Sequence, residues 1–148
     1  MNLLVNVGII MKFHEILKFL CEDRGLALKD LAGQSGISLQ TLYALFERNR
    51  LPSFKICVSL CNFFDCSIDF ILGLSQELTK NNNYNVENFV KNYKNLLVNR
   101  NISHYKVCQD TKLDESRFYD WQRGKLPYLS TIITLANYFK ISVDELIG

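Results

Sequence analysis

Two kinds of side chain in this sequence have the makings of chemistry: five cysteines and two histidines. Cys57 and Cys61 lie four residues apart and Cys66 follows, while Cys21 and Cys108 stand alone. Thiols at that spacing share one face of a helix, an arrangement from which a zinc site can start. There is no C-x-x-C pair and the cysteine number is odd, so no disulfide framework is expected and a reducing cytoplasm is. His14 and His104 are far apart in sequence, and neither belongs to a Ser-His-Asp, H-E-x-x-H or glycine-rich phosphate-loop pattern. His14 reads as a surface residue. With no nucleophile beside a base, the expectation is that the chain is not an enzyme.

An internal repeat decides what the cysteines are for. Residues 51–73, LPSFKICVSLCNFFDCSIDFILG, align at an offset of 75 with residues 126–148, LPYLSTIITLANYFKISVDELIG, with eight identities in 23 positions. Upstream the offset becomes 76, pairing Phe13 with Phe89, Leu20 with Leu96, Arg24 with Arg100, Tyr43 with Tyr119 and Leu45 with Trp121. Within this frame Cys57 lies over Ile132, Cys61 over Ala136, Cys66 over Ile141, Cys21 over Leu97 and Cys108 over Ala32. All five stand where the other copy holds an apolar residue, so they belong to the core. Neither a metal nor a cofactor is expected.

The repeat divides the 148 residues into an N-terminal arm (1–10), a first domain (11–75), a polar linker (76–88) containing the run Asn81–Asn83, and a second domain (89–148). The arm lacks the charged start and cleavage site of a signal peptide, and no apolar run approaches the ~18–20 residues that span a bilayer. With 48% hydrophobic and 22% charged residues, disorder is excluded. A formal charge of +2 excludes a histone-like polycation, so any nucleic-acid surface must be a local patch. Residues 1–75 balance seven Lys+Arg against seven Asp+Glu, and residues 76–148 hold ten against eight, so the second half carries the surplus.

Each copy shows helical periodicity and no strand-like alternation, predicting an all-α fold of five short helices per copy. The first helix carries Phe13, Ile16, Leu17, Leu20 and Cys21 on one stripe and ends at Arg24-Gly25. The second covers about Leu28–Gln34 and breaks at Ser35-Gly36; the third follows Ser38, with Asp114 as the equivalent cap in copy two. A fourth runs to about Phe64, and a fifth starts after Ser67 or Ser142.

A short helix, a tight turn and a second short helix over Leu28–Leu45, with Leu31, Ala32, Gly36, Ile37, Leu42 and Leu45 at the meeting positions, resemble the Cro- and phage-repressor-type (XRE) helix-turn-helix family. Copy two resembles it from Ser103 through Trp121-Gln122-Arg123-Gly124-Lys125-Leu126-Pro127. The resemblance implies two tandem repressor-like domains, each placing its third helix in the major groove of double-stranded DNA. Its implied base-reading positions are Leu39, Gln40, Tyr43 and Ala44 in copy one, and Glu115, Ser116, Tyr119 and Asp120 with Arg117 in copy two. Implied phosphate partners are Lys29, Arg48, Arg50 and Lys55, then Tyr105, Lys106, Arg123 and Lys125, while His104, at the helix-two position, is either a phosphate contact or a plain exposed side chain.

Copy two is expected to dominate DNA contact, because it carries the net charge, the Ser103 cap and Arg117. A bacterial or phage transcriptional regulator is the function so implied, with a homodimer as an additional assembly. The alternative is a protein-binding module of anti-defence or antitoxin type, using the apolar face Leu28, Leu39, Tyr43 and Ala44.

Overall fold

The computed structural model describes residues 12–48, 50–78 and 83–148, and among them every regular element is helical. Copy one forms α1 (Phe13–Asp23), α2 (Leu28–Ser35), α3 (Leu39–Glu47), α4 (Phe54–Phe64) and α5 (Ile68–Ile71). Copy two forms α6 (Asn88–Asn99), α7 (His104–Thr111), α8 (Arg117–Gln122), α9 (Leu129–Phe139) and α10 (Val143–Ile147). The chain divides into two compact units, one drawn mainly from the residues before 82 and the other mainly from those after. The expected arm, residues 1–10, lies outside the described residues, as do Asn81 and Asn82 of the asparagine run.

The periodicity that predicted the helices also predicts what they bury. In α1 the buried residues are the stripe Phe13, Ile16, Leu17, Leu20 and Cys21, and this helix packs on α3 and α5 while α2 packs on α3. In the second unit α10 packs on α6 and α9, and α9 also meets α7, enclosing Phe89, Tyr93, Val107, Trp121, Ile132, Leu135 and Leu146. All five cysteines are buried, packed as small apolar residues. Among the described residues no helix is long and apolar enough to cross a membrane.

Serine caps set four of the helix starts. The Ser38, Ser67, Ser103 and Ser142 hydroxyls accept from the backbone N–H groups of Thr41 (3.1 Å), Phe70 (3.1 Å), Lys106 (3.1 Å) and Glu145 (3.0 Å). Where α2 begins at Ala27, which has no hydroxyl, the Asp30 carboxylate accepts the Ala27 N–H at 3.0 Å instead. Helix ends repeat their backbone rather than their residues. Gly25 and Asn101, Gly36 and Lys112, and Asp65 and Lys140 are equivalent pairs, and all six have left-handed φ between 49° and 76°. The arginine pair has a structural use in copy one. The Arg24 guanidinium donates to the carbonyls of Phe63 (3.2 Å) and Phe64 (2.9 Å), closing the C-terminus of α4.

Three expectations are corrected. Asp114 does not cap a helix in the manner of Ser38. Its carboxylate accepts from both the N–H and the hydroxyl of Ser116 (3.0 and 2.8 Å), closing a turn, and α8 begins only at Arg117. His14 is half-buried at the margin of the α1 stripe, with Nδ1 shielded from solvent and without a hydrogen-bond partner among the described residues. The linker is also less free than its polarity suggests. Ser67 donates through its N–H to the Leu78 carbonyl (2.7 Å) and through its hydroxyl to that of Glu77 (2.9 Å), while Tyr84 is buried with its hydroxyl on Asp144.

Candidate nucleic-acid interface

The third helix of each copy has one face in the core and one in solvent. Leu42 and Leu45 anchor α3, leaving Gln40 exposed and Tyr43 49% exposed. Trp121 anchors α8, against the Phe89 ring at 5.2 Å between centroids, leaving Arg117 exposed and Tyr119 62% exposed. Equivalent tyrosines therefore stand outward at the centre of both helices.

In copy one, Lys29, Arg48, Arg50 and Lys55 are all exposed, whereas Leu28, Leu39 and Ala44 are half-buried. Among the described residues, no carboxylate lies within ion-pair distance of those four cations. Around α8, Tyr105, Lys106, Glu115, Ser116, Arg117, Arg123 and Lys125 are exposed, but the cations of this copy meet its own acids. Lys106 Nζ lies 3.0 Å from Asp110, Arg117 Nε 3.9 Å from Asp114, and Lys125 Nζ 4.0 Å from Asp120. The Arg123 guanidinium lies 4.9 Å from the centre of the Tyr119 ring and donates to its hydroxyl. Exposed pairs of this kind are weak, ~0–1 kcal/mol each. The three paired acids are already counted in the formal charge of the second half, so these contacts locate that charge without changing it.

Local hydrogen bonding shows in the acid–base balance. The Ser116 hydroxyl and N–H hold the Asp114 carboxyl below its ordinary value. The Tyr138 hydroxyl, donating at 2.6 Å, and then Lys106 do the same for Asp110, while Tyr138 itself is pushed up by that carboxylate. Both carboxylates stay charged across the physiological range. Between α8 and the start of α9 lies a cleft of about 540 Å³, whose walls include Arg117, Trp121, Lys125, Tyr128 and Thr131. Tyr128 is 69% exposed and carries the Arg117 guanidinium 5.7 Å from its ring centre. Sequence reasoning missed it, because its counterpart in copy one is Ser53 and carries no aromatic signal.

Two further placements correct the sequence reading of copy two. Glu115 and Ser116 lie in the turn before α8, not on its first helical turn. His104 is not an open phosphate contact: Nδ1 is 2.7 Å from the Tyr93 hydroxyl, Nε2 is 3.0 Å from the Glu115 carbonyl, and the ring stacks on Phe118 at 4.6 Å. Both ring nitrogens are used inside the unit. Tyr93 went unnoticed, although comparing the copies could have found it: Tyr93 and His104 together replace Leu17 and Leu28. Among the described residues, no group of three or more His, Cys, Asp or Glu could hold a metal ion.

Comparison with protein-family models places a helix-turn-helix match on residues 17–71 and a Cro/C1-type helix-turn-helix DNA-binding domain on residues 92–148. Neither a curated protein nor a solved structure matches the chain.

Proposed function

Because the chain belongs to the Cro/C1-type (XRE) helix-turn-helix proteins and carries two such domains in tandem, we propose that it reads operator DNA with the third helix of each copy, α3 and α8. As a member of that family it is a DNA-binding regulator. The observation that carries the finer reading is the split face of those helices: Leu42, Leu45 and Trp121 inward, and Gln40, Tyr43, Arg117 and Tyr119 outward. A core-backed helix with an outward polar and aromatic face fits the major groove, where arginine matches guanine and glutamine matches adenine. The family points to a bacterial or phage setting, in which operator occupancy blocks or recruits polymerase. Two readers in one chain do the work of a two-fold dimer, whose half-sites lie ~34 Å apart, and no second copy is required.

Five cysteines buried in the core suit a reducing cytoplasm. We assign no catalytic step, since His104 spends both ring nitrogens on internal contacts. The protein-binding alternative has a narrow surface to work with: of Leu28, Leu39, Tyr43 and Ala44, only Tyr43 is exposed.

Selection of a preferred duplex from a random pool tests the proposal. Arg117→Ala should then weaken that duplex by about 1–3 kcal/mol and relax its sequence preference, whereas Lys125→Ala should weaken all duplexes alike. Retention on duplex that ignores salt, or an Arg117→Ala loss equal for every sequence, would defeat it.

A further inference from the structure

The two copies are a control for one another at the entrance to the third helix. In copy one the residues at the centre of α1 and the start of α2 are Leu17 and Leu28, and α3 begins at Leu39, directly after its Ser38 cap. In copy two the equivalent residues are Tyr93 and His104, and α8 begins at Arg117, two residues later than the repeat predicts. Both members of the pair are apolar in one copy and polar in the other. Only the polar pair comes with a shortened third helix.

The hydrogen bonds between these residues have a definite direction. Tyr93 is fully buried, and burial raises its phenol well above its ordinary value, so it keeps its proton. The Glu115 carbonyl can only accept, so in the neutral imidazole the ring proton sits on Nε2, and Nδ1 accepts from the Tyr93 hydroxyl at 2.7 Å. The ring proton points at the Glu115 carbonyl 3.0 Å away. That carbonyl would otherwise cap the ladder of a helix beginning at Glu115 by accepting from Tyr119. Stacking on Phe118 at 4.6 Å fixes the plane of the imidazole across the same turn.

We propose that Tyr93, His104 and the Glu115 carbonyl form a latch from α6 through α7 to the turn before α8, with His104 the positioning residue that sets where the DNA-reading helix starts. This rests on α8 being a reading helix. The latch holds Glu115 and Ser116 in a turn and leaves Arg117 as the first helical residue offered to a base edge. Specificity, more than general affinity, is what it supplies.

The test uses the full chain. Nitrogen-15 shifts of His104 should show a single neutral tautomer protonated on Nε2, and Tyr93→Phe should turn this into a mixture and speed amide exchange at residues 117–119. For a duplex selected from a random pool, Tyr93→Phe should lose about threefold to tenfold in affinity, the worth of a hydrogen bond, while random-duplex binding and its salt slope stay unchanged. His104→Gln, whose amide can accept from Tyr93 and donate to Glu115, should by contrast keep most of the affinity of the unmodified protein. The double variant Tyr93→Leu with His104→Leu copies a pair that already packs in copy one, and should extend the helix back to residue 115. A mixed tautomer in the unmodified protein, or exchange untouched by Tyr93→Phe, overturns the latch. So does a His104→Gln loss shared equally by all duplexes with a shallower salt slope, which would make the imidazole a phosphate contact. If no duplex is selected at all, the function proposed above fails, and the tautomer and exchange measurements still decide the latch.

Discussion

Cys21 is the residue whose environment has the plainest measurable consequence. Burial, and then the neighbouring Glu22 charge, push its thiol from 9.0 up to about 11, and burial raises Cys108 too. The folded state therefore binds the Cys21 proton more tightly than the unfolded state does. That preference is fully present below pH 9 and is lost as pH rises through about 11, so an alkaline limb of up to about 2–3 kcal/mol is expected in the stability profile. Cys21→Ala should flatten that limb, which chemical denaturation between pH 8 and pH 11 measures. At pH 8 a thiol reagent should find almost none of the five buried cysteines before unfolding and all five after it. Fast titration of even one in the native protein would contradict the core assignment. The cysteines were legible because the repeat supplied an apolar partner for each. His104 was not, because a histidine at a helix start reads as exposed until the buried hydroxyl facing it is known.

Elements were more legible than residues. Hydrophobic spacing predicted α1 and its buried stripe, and Ser38, Ser67, Ser103 and Ser142 placed the starts of α3, α5, α7 and α10. The late start of α8 was hidden, since Asp114 satisfies a cap pattern and a turn pattern equally well, and a contact from another helix chose between them. Helix ends offer a clean prediction from the left-handed positions. Gly36 sits at φ 76° with no atom within 4 Å of where a Cβ would go, so Gly36→Ala meets only backbone strain and should cost about 1–2 kcal/mol. Its equivalent, Lys112, already carries such strain at φ 64°, and Lys112→Gly should stabilise by roughly 0.5–1 kcal/mol. Opposite shifts of the thermal midpoint check the pair; equal shifts would break the equivalence of the two helix ends.

At the scale of the whole molecule, formal charge and unpaired charge point to different halves of the chain. Residues 76–148 hold the surplus, yet Lys106, Arg117 and Lys125 face their own carboxylates, while Lys29 and Arg48 have none within ion-pair distance among the described residues. Each phosphate contact contributes close to one unit of salt slope. Removing Lys29 and Arg48 together should shallow the slope of DNA binding by about two units, and removing Lys106 and Lys125 by less, since their carboxylates already compete with phosphate. Titrations between 50 and 200 mM salt check this. A larger change from the second pair would restore copy two as the main electrostatic partner.

The Tyr93–His104 pair has one more consequence, for a chain that must fold two similar units from one sequence. Tandem copies risk exchanging equivalent helices while they assemble. A hybrid placing α6 against α2 would leave the Tyr93 hydroxyl buried opposite Leu28, with no acceptor there. The reverse hybrid would set Leu17 against His104 and orphan the imidazole Nδ1. Either loses about 1–3 kcal/mol for a buried polar group left unpaired. The hydrogen bond that orders one turn thus also labels its helices as belonging together, and makes the wrong pairing the weaker one from the moment the chain collapses.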